Sequence, residues 1–308
     1  MERLLALSSS PHIHAGQDTR KIMAWVLAAL APAGIAGFYF FGTRAALVMI
    51  VCVASCVASE YCWQKLAKQK CTVGDLSAAV TGLLLAYNLP PAIPFWMAAA
   101  GSIFAIIVAK QFFGGIGQNI MNPALAGRAM MLTSWPGPMT TWTLDGVSGA
   151  TPLVMIKEGT GVLPPFTDVL LGRVGGCIGE TSALALFVGF GILLAKDIVK
   201  WHVPVIYIAV VAALSAAFGR PAGPLYEICA GGLLLGAFFM ATDYTTSPMS
   251  IKGQVLFAVG CGVLTSLIRT FGGYPEGVSY SIIIMNLTVP LIDKFMRPRI
   301  FGEVKHRG

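Results

Sequence analysis

Apolar stretches recur along this chain at short intervals from residue 21 to residue 292, and little is left between them to build a soluble domain. Ten can be marked, at residues 21–41, 44–63, 73–89, 95–112, 120–132, 182–196, 203–218, 225–242, 253–268 and 278–292. Mean hydropathy is +0.75 and only 11% of residues are charged. A soluble domain carries about 25%, so a cytosolic enzyme is excluded. Disorder is excluded too, because so much apolar surface demands burial. A straight membrane helix needs about 20 residues, and several of these stretches are shorter. The fifth is the shortest and is read with Pro123 inside it. Short spans broken by Pro and Gly are the mark of discontinuous membrane helices that line a site. The expected fold is all-α: a polytopic membrane protein with about ten transmembrane helices.

Charge orients such a chain. With both termini on the cytoplasmic side, fifteen Lys and Arg fall inside, among them Arg20, Lys21, Lys65, Lys68, Lys70, Lys110, Lys196, Lys200, Lys252 and Lys294. Five fall outside: Arg44, Lys157, Arg173, Arg220 and Arg269. That bias obeys the positive-inside rule. An odd number of spans would put one basic tail outside. Arg128 is left within a span, where a lone guanidinium is costly and must pair, snorkel or line a wet cavity. The polar leader before residue 21 runs into two consecutive apolar spans, so a cleaved signal peptide is not expected.

This topology leaves one long extracytoplasmic loop, residues 134–181, between an N-terminal membrane unit (1–133) and a C-terminal one (182–308). Long loops without structure of their own are usually functional or disordered. The two units echo each other. Gly82-Leu83-Leu84-Leu85 matches Gly232-Leu233-Leu234-Leu235, and Phe113-Gly114-Gly115 matches Phe271-Gly272-Gly273 at the same ordinal place. Five spans per unit is odd, so the units would be inverted repeats. Chance likeness among apolar stretches is the plain alternative. The ends of the third and eighth spans, at residues 87–91 and 241–244, would then be related.

The seven cysteines mostly lie in apolar stretches, and no CxxC pair or HExxH motif suggests a metal site. Phe113-Gly114-Gly115-Ile116-Gly117 lacks the βαβ setting of a dinucleotide fingerprint. Asp75 and Glu227 sit near the starts of spans three and eight, where acids cap helices; a cation route is the second reading, and Asp243 joins them as an acid at a helix. Asn88, Asn119, Asn122 and Asn286 could bond broken-helix backbone or a ligand. Arg128 suits an ion pair, a carbonyl clamp or an anionic ligand. Within the long loop, Asp145-Gly146-Val147-Ser148-Gly149-Ala150-Thr151-Pro152-Leu153 is turn-rich. Pro152 holds Thr151 extended, which would turn its side chain outward. On residue chemistry alone Thr151 is a turn residue.

The D-G-V-S-G-A-T-P-L stretch does not stand alone. Residues 110–129 read K-Q-F-F-G-G-I-G-Q-N-I-M-N-P-A-L-A-G-R-A, with L-L-L-A-Y-N-L-P-P, G-E-T-S-A and M-A-T-D-Y-T-T-S-P elsewhere. Over nearly its whole length the chain resembles the RnfD family, membrane components of Rnf electron-transport complexes. The homologous NqrB component of sodium-pumping NADH:quinone reductases is a less close likeness, since its long N-terminal extension has no counterpart here. The resemblance implies a urea-transporter-like fold and FMN joined through a phosphoester to Thr151, with Ser148, Asp145, Arg128 and Asn122 as further cofactor-site candidates. It implies a second, noncovalent flavin such as riboflavin. Partners would be the other Rnf complex subunits (A, B, C, E and G), a flavin transferase for maturation, and Na+ or H+ as coupling ion, in a prokaryotic cell membrane. A solute channel and a cofactor-free scaffold are the alternatives.

Overall fold

The computed structural model describes residues 18–144, 147, 148, 150–159 and 163–296. Asp145 lies outside the described residues, as does the side chain of Ser148. The chain is an all-α, largely helical, polytopic membrane protein with several apolar spanning helices. Among the described residues, four helical stretches are long and apolar enough to cross a membrane: Thr19–Leu66, Phe95–Phe113, Ile251–Phe271 and Val278–Phe295.

The first, α1 (Thr19–Leu66), is two helices joined at Gly42, whose φ of 70° and ψ of −160° are non-helical. A β-carbon would strain that conformation. Each arm has about 23 residues, roughly 35 Å of helix, enough for one crossing. Gly34 and Met49 flank the break at similar distances, and a Cβ on Gly34 would lie 3.7 Å from Met49 Sδ. In a straight helix they would be about 22 Å apart, so the arms fold back as a hairpin.

Next come α2 (Ser77–Tyr87), α3 (Phe95–Ile107), α4 (Pro123–Ser134) and a single turn, α5 (Pro136–Met139). At about 16 Å, α2 is half a crossing. Pro123 is not inside the fifth span as the sequence suggested. It opens α4 at the first helical position, where a missing N–H is harmless, and Asn122 Oδ1 caps the helix by accepting from Ala124 and Leu125 N–H at 3.0 and 3.4 Å.

The long connection to the second unit is structured. It holds a two-residue hairpin, β1 (Thr143–Leu144) with β2 (Val147–Ser148), then α6 (Pro152–Glu158) and α7 (Phe166–Leu171). The second unit has α8 (Ala183–Ala195), α9 (His202–Ala217), α10 (Pro224–Cys229), α11 (Leu233–Leu235), α12 (Ile251–Phe271) and α13 (Val278–Phe295). The eighth span is therefore interrupted: α10 stops, Gly231 turns with φ 70°, and α11 runs into a π-helical turn, Gly236–Met240. Single π turns are frequent at functional sites.

Packing is that of a protein dissolved in lipid. Helices meet through small residues, which let backbones approach. A Cβ on Gly82 of α2 would come within 2.8 Å of Val53 Cα, and one on Gly127 of α4 within 2.9 Å of the Gly101 carbonyl. Large apolar side chains such as Ile35, Ile50, Leu184, Leu256 and Leu291 face outward, while Glu60, Lys110, Arg128, Glu180, Glu227 and Arg269 are buried.

Contacts between connections fall into two sets. Arg44 donates to the Pro91 and Ala92 carbonyls, Ile178 N–H to Leu89 O, Lys157 to Gly272 O and Tyr226 to Pro164 O. In the other set Gln64 bonds Thr72, Tyr244 bonds Ile198 O, His202 meets Gln254, and Lys196 sits 4.3 Å over the Trp25 ring. Consecutive connections thus alternate between two ends of the molecule.

Candidate functional site

Thr151 is the residue before α6 and caps it. Its backbone is extended, as Pro152 requires, with φ −67° and ψ 156°. Its side chain, however, does not point outward. The residue is 7% exposed, and Oγ1 accepts from Val154 N–H at 3.4 Å. A Thr followed by Pro at the first helical position is a capping arrangement, and the cap draws the hydroxyl inward. On α6, Lys157 donates to the Gly272 carbonyl. Burial, and then Arg220, lowers its pKa below the ordinary lysine value.

Beside Thr151 opens a cavity of about 360 Å3 lined by Ala150, Trp142, Met139, Tyr274, Tyr280 and Glu276, with Arg128 at its floor. Tyr274 and Tyr280 stack with centroids 5.7 Å apart. Pockets of about 300 Å3 and upward hold cofactors. Aromatic walls and a few polar groups suit a planar ring tethered one residue away, so the residues present fit a flavin ring.

Arg128, on α4, is fully paired. Nη1 donates to Asn88 Oδ1 at 2.7 Å and Glu180 Oε1 at 3.0 Å. Nη2 reaches the Glu276 carboxylate and Cys177 Sγ, the latter at 3.6 Å. The Cys177 thiol donates to the Asn88 carbonyl at 3.3 Å. A guanidinium presents five donors in a rigid fork, and here that fork ties the end of α2, the connection before α8 and the connection before α13 together. Of the readings open in the sequence, the ion pair is the one the structure displays.

Two further buried cations belong to helix ends. Lys110 and Arg269, assigned to opposite aqueous sides from the sequence, are 2% and 1% exposed. Lys110 Nζ bonds Glu60 at 2.9 Å and Ser77 Oγ at 2.6 Å, at the start of α2. Arg269 bonds the Glu227 and Ala230 carbonyls, at 2.9 and 3.4 Å, at the break before α11. Glu227 also pairs with Arg220. Glu227 lies in the first turn of α10 and is an ion-pair partner, while Asp75, two residues before α2, accepts from Ser77 N–H at 2.8 Å and is not the residue at the N-cap.

At the opposite end from Thr151 lies a second cavity, lined among others by Ser77, Lys110, Asn119, Asn122, Asp243 and Phe239. Asn119 Oδ1 is buried without a partner. Asn286, with its amide oriented to satisfy its neighbours, donates to Thr246 O at 3.0 Å and accepts from Asn122 N–H at 3.1 Å. Asn122 lines the second cavity and Arg128 the first, whereas Thr151 lines neither and borders a separate small cavity with Glu180, Thr181 and Glu276. Glu276 and Cys177 were missed in the sequence, and Glu180 was noted only within a motif. Glu276 reads as an ordinary turn residue in Tyr274-Pro275-Glu276-Gly277.

The profile of the NQR2, RnfD, RnfE family matches residues 6–302. The chain belongs to this family. It is 49% identical to the D subunit of the Na(+)-translocating ferredoxin:NAD(+) oxidoreductase complex of Acetobacterium woodii, covering 98% of this chain and 96% of that one. It is 46% identical to the D subunit of the proton-translocating ferredoxin:NAD(+) oxidoreductase complex of Clostridium ljungdahlii, covering 98% and 97%. Identity to the D subunit of the ion-translocating oxidoreductase complex of Stutzerimonas stutzeri is 39%, over 92% of each chain. Family membership agrees with the membrane architecture and makes this a protein of the Rnf-related electron- and ion-transport systems.

Proposed function

We propose that this chain is a membrane electron-transfer subunit of an Rnf-type ferredoxin:NAD+ oxidoreductase, not catalytic alone, with FMN esterified to Thr151. The observation that carries this reading is the aromatic cavity beginning at Ala150, one residue from the threonine that the family resemblance marks. FMN held there supplies reversible uptake and release of electrons. The chain's own contribution is placement. Trp142, Tyr274 and Tyr280 wall the ring's space, the pairing of Arg128 with two carboxylates fixes its floor, and α6 holds the tether. The second cavity, at about 90 Å3, is well short of the roughly 300 Å3 of a cofactor pocket and is not assigned to a noncovalent riboflavin.

Ten crossings in two inverted units, 1–133 and 182–308, separated by the 134–181 connection, account for the alternating ends. The Thr151 end is then extracytoplasmic and the Asp243 end cytoplasmic, with both termini cytoplasmic in a prokaryotic cell membrane. The two buried cations support the repeat. Each lies just before a Phe-Gly-Gly and clamps the start of an interrupted helix, Lys110 for α2 and Arg269 for α11. Partners are the other Rnf complex subunits (A, B, C, E and G), with a flavin transferase for maturation. Relatives of nearly equal identity are named for Na+ and for protons, so either ion suits the chain as coupling ion.

The test is the intact mass of the chain from its native membrane, with peptide mapping across residues 148–153. Covalent FMN adds roughly 440 Da. Its presence on Thr151 is the expected result. A bare Thr151, in cells with an active flavin transferase, overturns the assignment.

A further inference from the structure

An open groove of about 360 Å3 follows α4 on the outside of the helix bundle. Ala126, Ala129 and Thr133 of α4 line it, with Phe104 of α3 and Ile283 of α13 beside them. It reaches from Met121, just before α4, to Ser134, the last residue of that helix. The lining is mostly apolar, which alone would suit lipid.

The chain leading into α4 does not suit lipid. Trp96 at the start of α3 and Trp135 at the end of α4 meet edge to face, with centroids 5.3 Å apart, so these two ends lie at one level. From there the α3 stretch runs 19 residues to Phe113, about 28 Å and nearly a full crossing. α4 reaches back only about 18 Å. Residues 114–121 therefore climb through roughly the last 10 Å of the membrane without helix. Gly114, Gly115 and Gly117 hold φ of 115°, 94° and 86°. Among the described residues, the backbone N–H groups of Ile116, Gly117, Asn119, Ile120 and Met121 find no partner. Hydrocarbon cannot satisfy them, and irregular backbone at membrane depth persists only where protein or a water-filled cavity covers it. Water is a poor cover here, because Phe112, Phe113, Ile116 and Ile120 stand on the same surface, 36–59% exposed. Protein is left.

A second copy of this chain does not fit. In a two-fold dimer the same patch meets itself. Hollow would face hollow, and unpaired donors would face unpaired donors.

We propose that this groove seats one membrane helix of a different subunit. That helix is apolar along α4 and carries hydrogen-bond acceptors, as hydroxyl or amide oxygens or the free carbonyls of a break, opposite residues 116–121. The proposal rests on the reading of the chain as one subunit of a membrane complex, and it names the face and the chemistry of the contact.

The experiment uses the complex in its native membrane. A photoreactive benzoylphenylalanine is placed at Ile120 and, separately, at Thr133, and linked peptides are read by mass spectrometry. Both positions are expected to link to the same partner chain, through one apolar span whose polar residues lie nearest Ile120. Thr133→Trp, which fills the groove from an exposed position, is expected to lose that chain from the purified complex. The thermal midpoint of the Thr133→Trp chain by itself should equal that of wild type, which shows that the loss is not misfolding. Links to lipid alone, links to a second copy of this chain, or an intact complex with Thr133→Trp overturn the proposal. If the linked span belongs to a membrane protein outside any Rnf-type complex, the contact stands and the functional reading above falls.

Discussion

Asn88 and Met240, 152 positions apart, meet where two interrupted helices end: the Asn88 amide donates to Met240 Sδ at 3.7 Å. The same amide donates to Leu84 O at 2.7 Å, and its oxygen receives Arg128. The two contacts differ in weight. Thioether sulfur is a weak acceptor, so Met240→Leu should cost under about 1 kcal/mol. Asn88→Leu leaves a buried guanidinium short of an acceptor and should cost about 1–3 kcal/mol. Thermal unfolding of the two variants in one detergent separates them.

Arg128→Met should be the most damaging single change in the Thr151 region. It strands Glu180 and Glu276, and removing one partner of a buried pair costs about 3–5 kcal/mol. Arg128→Lys should recover only part of this, because an ammonium cannot reproduce the fork that reaches Asn88, Glu180 and Glu276 together. Yield of monodisperse protein and its unfolding midpoint should rank wild type, Lys, Met.

Gly82→Val tests the contact of α2 on the second arm of α1. A Cβ there would sit 2.8 Å from Val53 Cα and 2.9 Å from Cys52 O, both backbone. Neither neighbour can rotate away, so the helices must separate, at about 1–3 kcal/mol. An unfolding midpoint equal to wild type would show that this interface is looser than the structure has it.

Thr151→Val should abolish the roughly 440 Da addition and also remove the cap of α6, at about 1 kcal/mol. Ser148→Ala should keep the full adduct. Mass spectra of both variants, made beside the wild type, read these outcomes directly.

Native cysteines report the orientation. Cys71 is exposed in the connection after α1, and five of the seven are buried. A membrane-impermeant maleimide should spare Cys71 in intact cells and label it in inverted vesicles. Labelling in intact cells would reverse the assignment of ends.

The apolar segments were legible because hydrophobic length is what a bilayer demands of a helix. The helices begin and end within a few residues of the marked spans, and Gly42 separates the first two. The break in the eighth span hid inside a continuous apolar run, where Gly231-Gly232 was the available signal. Burial of Lys110 and Arg269 was not legible. It depends on Glu60 and Glu227, partners 50 and 42 residues away, and charge counting assigns any lysine or arginine near a helix end to water. The pairing of Arg128 with Glu276 spans 148 residues and rests on how α4 and α13 pack. The direction of the Thr151 side chain turned on a local choice, capping over exposure, for which Pro152 was the clue.

That choice has a chronological consequence. The Thr151 hydroxyl faces a closed interior and holds the first turn of α6. An enzyme that esterifies it needs the first turn of α6 undone, in a newly inserted chain whose long connection has not yet docked. On the proposed reading, attachment would then be a step within biogenesis, and a chain that settled before it was met would be sealed against later loading.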